Sequence, residues 1–308
     1  MLQDILTVAG QVLSLFLMMG IGALLTRRGT VTEDGVSQMS YILMNIVAPC
    51  VIIDSLQRDK DLSLVREMGI AAGIITVSTL IGVALSFLFF RREPPADRRV
   101  LRFAMTFSNC GYMGLPLVQA TLGSSALVYA ASAVIAFNVL LWTVGIVMMG
   151  GRQEASVKNA ILNPGIIGFA IAFTLFWFEI RLPSVLGSTV SMLASLNTPV
   201  AMIVVGSYVA KSNLSLCFSQ KKLYLAAGLR LVVIPVALTA LFYPLHLPFE
   251  LYAASVLVSS APTAAITTIF STRYKLDSAL ASQCVTLCTL LSILTMPVLA
   301  AVIRVIST

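Results

Sequence analysis

The chain has 308 residues, of which 58% are hydrophobic and 11% are charged, and its formal net charge is +7. A water-soluble domain carries about 25% charged residues, so this composition excludes a soluble enzyme or a soluble binding module. The mean hydropathy of +0.95 predicts a chain embedded in a membrane from end to end, at about 20 apolar residues for each crossing helix.

Apolar runs bounded by charged or turn-forming residues predict the membrane-crossing helices. The runs lie near 5–26, 36–56, 65–90, 99–122, 125–150, 160–180, 185–210, 222–243, 250–271 and 278–305. A polar connector at 151–159 separates the fifth run from the sixth. We therefore expect an all-α integral membrane protein of ten transmembrane helices, with one five-helix repeat in residues 1–150 and a second in 160–308. The N-terminus lacks the basic segment of a cleaved signal peptide, so the first run is expected to remain as a helix.

Lys and Arg are distributed unevenly between the two sides of this arrangement. Of the 20 basic residues, 15 fall on one side, and Arg58, Lys60, Arg66, Arg181 and Arg304 fall on the other. Short loops rich in Lys and Arg remain in the cytoplasm. We therefore expect a multi-pass protein of the cell (plasma or inner) membrane, with the basic loops in the cytoplasm and both termini on the outer side. The basic excess indicates membrane orientation rather than nucleic acid binding, which requires a contiguous patch.

The sequence lacks the motifs of enzymes and of ATP-driven pumps. Its single histidine, His246, lies in a predicted loop, and its five cysteines lack the paired spacing of a zinc or redox site. It contains no Walker phosphate loop and no G-x-S-x-G elbow. We therefore expect no enzyme activity, no metal and no cofactor other than a coupling ion.

Proline beside Asn, Ser or Gly predicts interruptions in the second and fourth helix of each half. These segments are NIVAP at 45–49, NTP at 197–199, SNCGYMGLP at 108–116 and SSAPT at 259–263. Proline removes a hydrogen-bond donor, and backbone groups freed inside lipid must be buried or line a cavity. With an odd number of helices in each half, the second half enters from the opposite side, and such an inverted repeat is a common transporter plan. The interrupted helices would then direct partly positive N-termini at a bound anion.

Polar residues at these interruptions are the candidates for binding the anion. We place Asn109 first, because its side chain both donates and accepts hydrogen bonds. The further candidates are Ser108, Cys110, Gly111, Pro116, Ser259, Ser260, Pro262, Thr263, Asn45, Asn138 and Asn197. Each Ser or Thr could instead bond to its own helix, and each Asn could instead join two helices.

Ionisable residues within membrane helices are functional candidates by default. Asp54, at the outer end of the second helix, is the predicted proton carrier, and Gln283 in the tenth helix is a candidate for ion coupling. Arg102 and Arg230 lie just inside the basic ends of the fourth and eighth helices. Long side chains at helix ends reach back to the interface, so we expect these two arginines to be solvated.

Four segments resemble the auxin efflux carrier family. They are LMNIVAP at 43–49, SNCGYMGLPL at 108–117, SAPTAA at 260–265 and TLLSILTMP at 289–297. The element Asn-x-Gly-x-x-Gly-x-Pro in the second segment is the most specific, and the resemblance covers nearly the whole chain. It implies two inverted five-helix units, in which the fourth and ninth helices unwind and cross at Pro116 and Pro262 and Asn109 contacts the substrate. The implied fold is similar to that of bile-acid sodium symporters and sodium–proton antiporters, in which a scaffold domain and a crossover domain move against each other.

Family members include plant auxin exporters and bacterial carriers associated with malonate or malate. This chain has only the short connector at 151–159 where the large plant carriers have a long cytoplasmic loop. It therefore resembles a bacterial member, and a small carboxylate is favoured over auxin. We expect a secondary transporter of a small organic anion, working by alternating access on a proton, sodium or substrate gradient, as a possible homodimer. The alternatives are a membrane-embedded receptor that binds its ligand without moving it, and an intramembrane enzyme.

Overall fold

The structure is a computed structural model that describes residues 2–151, 164–212 and 214–307. The predicted connector, apart from residue 151, lies outside these residues. Within them the chain is helical and forms no β-strand. In the first half the helices are α1 (Leu2–Arg27), α2 (Glu33–Ser55), α3 (Leu62–Leu88), α4 (Pro95–Thr106), α5 (110–122) and α6 (Ser124–Gly150). In the second half they are α7 (Pro164–Trp177), α8 (Ser184–Lys211), α9 (Leu214–Ser219), α10 (Lys221–Leu245), α11 (Phe249–Ser259), α12 (Ile266–Arg273) and α13 (Ser278–Ser307).

Length and composition make this a multi-pass membrane protein. Among the described residues, 6 helices are long and apolar enough to cross a membrane, namely α2, α3, α6, α8, α10 and α13. Three apolar helices are shorter: residues Val12–Arg27 of α1, the whole of α7 and the whole of α11. Large hydrophobic side chains such as Leu17, Leu80 and Phe178 are exposed on the outside of the helices. Such a surface suits contact with lipid and would be unstable in water.

The predicted fourth and ninth membrane helices are each interrupted near the middle, so that α4 and α5 are the two halves of the fourth and α11 and α12 are the two halves of the ninth. Residues 107–109 separate α4 from α5, and residues 260–265 separate α11 from α12. The second interruption contains Pro262. The first precedes Pro116, which follows a π-helical turn at Cys110–Gly114 within α5, a wide turn that makes room for its ring. The first interruption therefore lies before its proline, at the residues whose backbone pairs with the second extended segment.

The other prolines singled out in the sequence do not open their helices into extended segments. Pro49 follows a π-helical turn at Leu43–Val47, and α2 continues beyond it to Ser55. The wide turn makes room for the proline ring, which would clash with the preceding turn of a regular α-helix. Pro199 lies in the first turn after a bend at Leu196 within α8.

The helices pack in two groups. α1 packs mainly against α8, while α7 and the first part of α8 pack against the second half of α2. α3 packs against α6, and α11 packs against both. The approach of α1 to α8 depends on glycine: a methyl group at Gly206 would lie 2.8 Å from the carbonyl carbon of Met19, and one at Gly22 would lie 2.7 Å from Cα of Ile203. We call α1, α2, α7 and α8 the first group and the remaining helices the second group.

Contacts between helix ends define two faces of the molecule. Lys211 pairs with Glu33 at 3.5 Å, and Lys222 pairs with Asp97 at 2.8 Å. These contacts lie among the ends that hold most of the basic residues, and we call this side the basic face. On the opposite face, Arg181 pairs with Asp59 at 2.5 Å. Each interrupted helix begins at one face and ends at the other, so the interruptions lie at mid-depth.

Candidate functional site

The two extended segments cross and bond to each other through their backbones. The amide of Asn109 donates to the carbonyl of Pro262 at 2.6 Å, and the amide of Ala264 donates to the carbonyl of Phe107 at 2.9 Å. These bonds satisfy backbone groups that would be costly to leave unpaired inside a membrane. The crossing is therefore a fixed backbone structure from which four helix ends diverge.

Two of these ends are helix N-termini. In α5, the first amide that bonds to the preceding turn is that of Met113, which donates to the carbonyl of Asn109 at 3.0 Å. In α12, it is that of Thr267, which donates to the carbonyl of Ala264 at 3.0 Å. The amides of residues 110–112 and 265–266 precede these bonds. The first amides of a helix lack intrahelical acceptors and carry a partial positive charge. Both N-termini can therefore interact with a negative group beside the crossing.

A cavity of about 150 Å³ lies beside these N-termini. Its polar lining consists of Ser40, Ser108, Asn109, Cys110, Tyr112, Asn138, Asn197 and Tyr208, together with the backbone of Gly111 and Ala265. The rest of its wall is apolar, with side chains such as Ile52, Val134 and Phe137. Among the described residues, no charged side chain lines it. The cavity thus offers neutral hydrogen-bond donors and helix dipoles to a ligand with a small apolar body.

The cavity lies between the two helix groups and extends toward the basic face. Ser40 of α2 and Tyr208 of α8 lie near the ends of their helices on that face, as does Ile269 of α12. On the other side of the cavity, the hydroxyl of Thr198 donates to the side-chain oxygen of Gln119 at 2.9 Å and joins the two groups. This hydrogen bond links α8 to α5 next to Asn197, which lines the cavity.

Three asparagine side chains line the cavity in different states. Asn197 is 3% exposed, and its side-chain nitrogen has no partner among the described residues. Asn138 donates to the carbonyl of Val134 at 3.0 Å within its own helix. Asn109 is 7% exposed and lies beside the N-terminus of α5. A buried amide nitrogen without a partner is costly, so Asn197 has an unused donor for a ligand.

Six of the predicted site residues are brought together here, namely Ser108, Asn109, Cys110, Gly111, Asn138 and Asn197. Pro262 and Thr263 form the crossing itself, where Thr263 pairs with Ser108 in an antiparallel bridge, but neither lines the cavity. Ser259 and Ser260 are fully buried at the end of α11, and their hydroxyls have no partner among the described residues. The hydroxyl of Thr263 also donates to the carbonyl of Ala104 at 2.9 Å, so these four residues belong to the crossing and its surroundings and not to the wall of the cavity.

The remaining candidates lie elsewhere. Pro116 is in α5 beyond the cavity, and the side-chain nitrogen of Asn45 donates to the carbonyl of its own helix at Tyr41, at 2.8 Å. Asp54 is half-buried at the end of α2 and does not line the cavity. The side-chain oxygen of Gln283 accepts a hydrogen bond from Gln220 at 2.8 Å. Among the described residues, no group of three or more His, Cys, Asp or Glu is arranged to hold a metal ion.

Ser40, Tyr112 and Tyr208 line the site but were not predicted. Tyr112 lies three residues after Asn109, so the motif itself could have indicated it. The hydroxyls of Ser40 and Tyr208 are 3.4 Å apart, and this pairing of α2 with α8 has no signal in the sequence.

Arg230 was expected to be solvated, and this prediction is wrong, because its side chain is fully buried. It lies nine residues after Lys221, a distance of about 13 Å along a helix. That depth is a signal that the sequence did contain.

The fold and the site define a multi-pass membrane protein with two interrupted helices crossing beside a buried cavity, an arrangement typical of transporters. A model of the family described as "Membrane transport protein" matches residues 7–160 and 153–300. The chain therefore belongs to this auxin efflux carrier-like family, and the resemblance noted in the sequence is confirmed.

Similar proteins cover nearly the whole chain. An "Uncharacterized transporter" of Methanothermobacter thermautotrophicus is 25% identical over 95% of this chain and 97% of its own length. The "Uncharacterized transporter YfdV" of Escherichia coli (strain K12) is 22% identical over 97% of this chain and 98% of its own length. A "Putative malonate transporter" of Rhizobium meliloti (strain 1021) is 25% identical over 96% of each chain. These names agree that the family consists of transporters.

Proposed function

We propose that the chain is a secondary transporter of a small organic anion, which binds in the cavity at the crossing. The observation that carries this proposal is that two helix N-termini meet at one cavity, which no charged side chain among the described residues lines. Amides at helix N-termini bind anions, because they combine free donors with a partial positive charge. Membership of a transporter family favours movement of the ligand over binding alone.

The substrate that fits best is a carboxylate of a few carbons, such as malonate or malate. One carboxylate would accept hydrogen bonds from the first amides of α5 and from the side chains of Asn109 and Asn197. The hydroxyls of Tyr112 and Tyr208 would serve a second polar group. The name of the Rhizobium meliloti relative supports a dicarboxylate.

Alternating access would arise from movement of the two helix groups against each other. We propose that the chain spans the membrane ten times, in two inverted units of five spans each. The pair α4–α5 forms one membrane span, and the pair α11–α12 forms another. The position of the cavity between the groups and the closing contact of Gln119 with Thr198 support a state open toward the basic face. With the basic face in the cytoplasm, as the distribution of Lys and Arg favours, this state is inward-facing.

Uptake of labelled malonate into sealed proteoliposomes tests the proposal. We expect saturable accumulation that scales with the internal volume of the vesicles and is inhibited by unlabelled malonate. Malonamide, a neutral molecule of similar shape, should not compete, because it lacks the charge that the helix N-termini attract. Saturable binding without accumulation would instead identify a receptor. Equal competition by malonamide would contradict anion recognition.

A further inference from the structure

Arg230 of α10 lies at the crossing, bonded to the C-terminal ends of α4 and α11. Its Nε donates to the carbonyl of Ala261 at 2.9 Å, its Nη1 donates to the carbonyl of Thr106 at 3.1 Å, and its Nη2 donates to the carbonyl of Ser259. Thr106 is the last residue of α4, and Ser259 is the last residue of α11. One guanidinium group therefore joins the C-terminal ends of both interrupted helices.

This arrangement is unusual for a buried charge. The side chain is fully buried, yet among the described residues no carboxylate forms an ion pair with it. A buried charge is expensive unless it is paired and hydrogen-bonded. The pairing here comes from helix C-termini, each of which carries about half a negative charge, so two of them balance one cation. The arginine and the two helix ends form a neutral unit.

Carbonyl groups at the ends of interrupted helices are also the ligands with which transporters bind sodium. At this crossing the guanidinium bonds to a carbonyl at the end of α4, to one at the end of α11 and to one just beyond it. A metal ion would need the same carbonyl groups that Arg230 occupies, and it would also have to lie next to the positive charge of the guanidinium. The two requirements are incompatible, because like charges in a buried site repel strongly.

We infer that Arg230 is a tethered cation that replaces a co-transported metal ion at the crossing, so that anion binding requires no sodium. The inference rests on the proposed function, since it concerns the ion requirement of the same site. Arg230 is a positioning residue: it holds the C-terminal ends of α4 and α11 together and thereby keeps the N-termini of α5 and α12 directed at the cavity.

The test compares the wild-type protein with Arg230→Ala, Arg230→Lys and Arg181→Ala. Arg181 is the matched control, because it is an arginine with a 2.5 Å ion pair to Asp59 at the opposite face, far from the crossing. Malonate binding is measured in sodium chloride and in choline chloride at equal ionic strength, with and without millimolar guanidinium chloride. Thermal unfolding of the unliganded proteins is measured in the same buffers.

For the wild-type protein and Arg181→Ala, we expect the same malonate affinity in both salts. Arg230→Ala should bind malonate at least about tenfold more weakly, since it loses several charge-assisted hydrogen bonds. Guanidinium ions should restore part of its affinity and raise its unfolding temperature, while having neither effect on the wild-type protein. Arg230→Lys should be intermediate, because an ammonium group keeps the charge but lacks the planar fork of donors.

Three results would overturn the inference: sodium dependence of malonate binding by the wild-type protein, full affinity in Arg230→Ala, or a defect in Arg230→Ala that no cation relieves. If Arg230→Ala does not fold, the salt dependence of the wild-type protein and of Arg230→Lys decides. If the wild-type protein does not bind malonate, the proposed substrate is wrong. The effect of guanidinium on the unfolding of Arg230→Ala still tests the tethered cation.

Discussion

Asn109 allows the role of the cavity to be separated from the stability of the crossing. Its backbone amide and carbonyl hold the crossing together, through the bond to Pro262 at 2.6 Å and the bond from Met113 at 3.0 Å. Its side chain forms none of these bonds. Asn109→Ala should therefore leave the unfolding temperature of the unliganded protein close to the wild-type value.

The cost to ligand binding follows from the hydrogen bonds that the side chain can provide. A hydrogen bond to a charged group contributes about 1.5–3 kcal/mol. At about 1.4 kcal/mol for each factor of ten, loss of one such bond weakens malonate binding roughly 10- to 100-fold. Equilibrium binding and initial uptake rates in proteoliposomes measure this loss, and both should fall together.

Asn45→Ala is the matched control, because it removes the same side chain from a membrane helix outside the cavity. The Asn45 side chain bonds to its own helix at Tyr41, so we expect unchanged malonate affinity. Equal losses in the two variants would indicate a general effect on folding. Wild-type affinity in Asn109→Ala would refute the placement of the substrate at the crossing.

Three further changes test other parts of the structure. Gly206→Ala introduces a methyl group into the closest contact of α1 with α8 and should destabilise the protein by about 1–3 kcal/mol in denaturant unfolding, whereas Gly20→Ala, where the space is open, should not; equal stability would contradict the packing. Gln119→Ala removes the hydrogen bond to Thr198, which is worth about 0.5–1.5 kcal/mol. Amide hydrogen exchange in residues 115–122 should therefore accelerate. Unchanged exchange would contradict a role of this contact in closing the cavity. Asp54→Asn should reduce the dependence of uptake on external pH without changing malonate affinity, because Asp54 does not line the cavity; an unaltered pH profile would exclude it as the proton carrier.

The helical, membrane-embedded character of the chain and the interruptions at 107–109 and 260–265, where the candidate site lies, could be predicted from the sequence because both depend on local properties. Apolar runs determine which segments can lie in lipid, and a stretch such as SNCGYMGLP at 108–116 combines too many helix-breaking residues to continue as a regular helix. Asn109 follows from the same local reasoning. The exact residues of the first interruption could not be predicted from Pro116, which lies beyond them. They pair with the second interruption, as Asn109 does with Pro262, and this pairing joins residues far apart in the chain.

Arg230 shows why tertiary structure was needed for the rest of the site. A single arginine near the end of an apolar run is compatible with a side chain that reaches the interface, and the sequence alone favoured that interpretation. The carbonyl groups that bind it belong to Thr106 and to residues 259–261, more than a hundred residues away in the first case. Only the crossing brings these helix ends to one point, so the spacing of Arg230 from Lys221 could indicate burial but not the carbonyl groups that bind it.

In the proposed transporter, the four helix ends at the crossing would distinguish anions from cations. The two C-termini are neutralised by Arg230, so they cannot attract a metal ion from the cavity side. The two N-termini have no such partner, because among the described residues no carboxylate lines the cavity. A bound anion would therefore supply the counter-charge for the helix ends that face it, whereas a cation would be repelled by them and by Arg230 together. Under the proposed function, selectivity for anions would arise from backbone dipoles and one buried arginine, without a basic side chain in contact with the ligand.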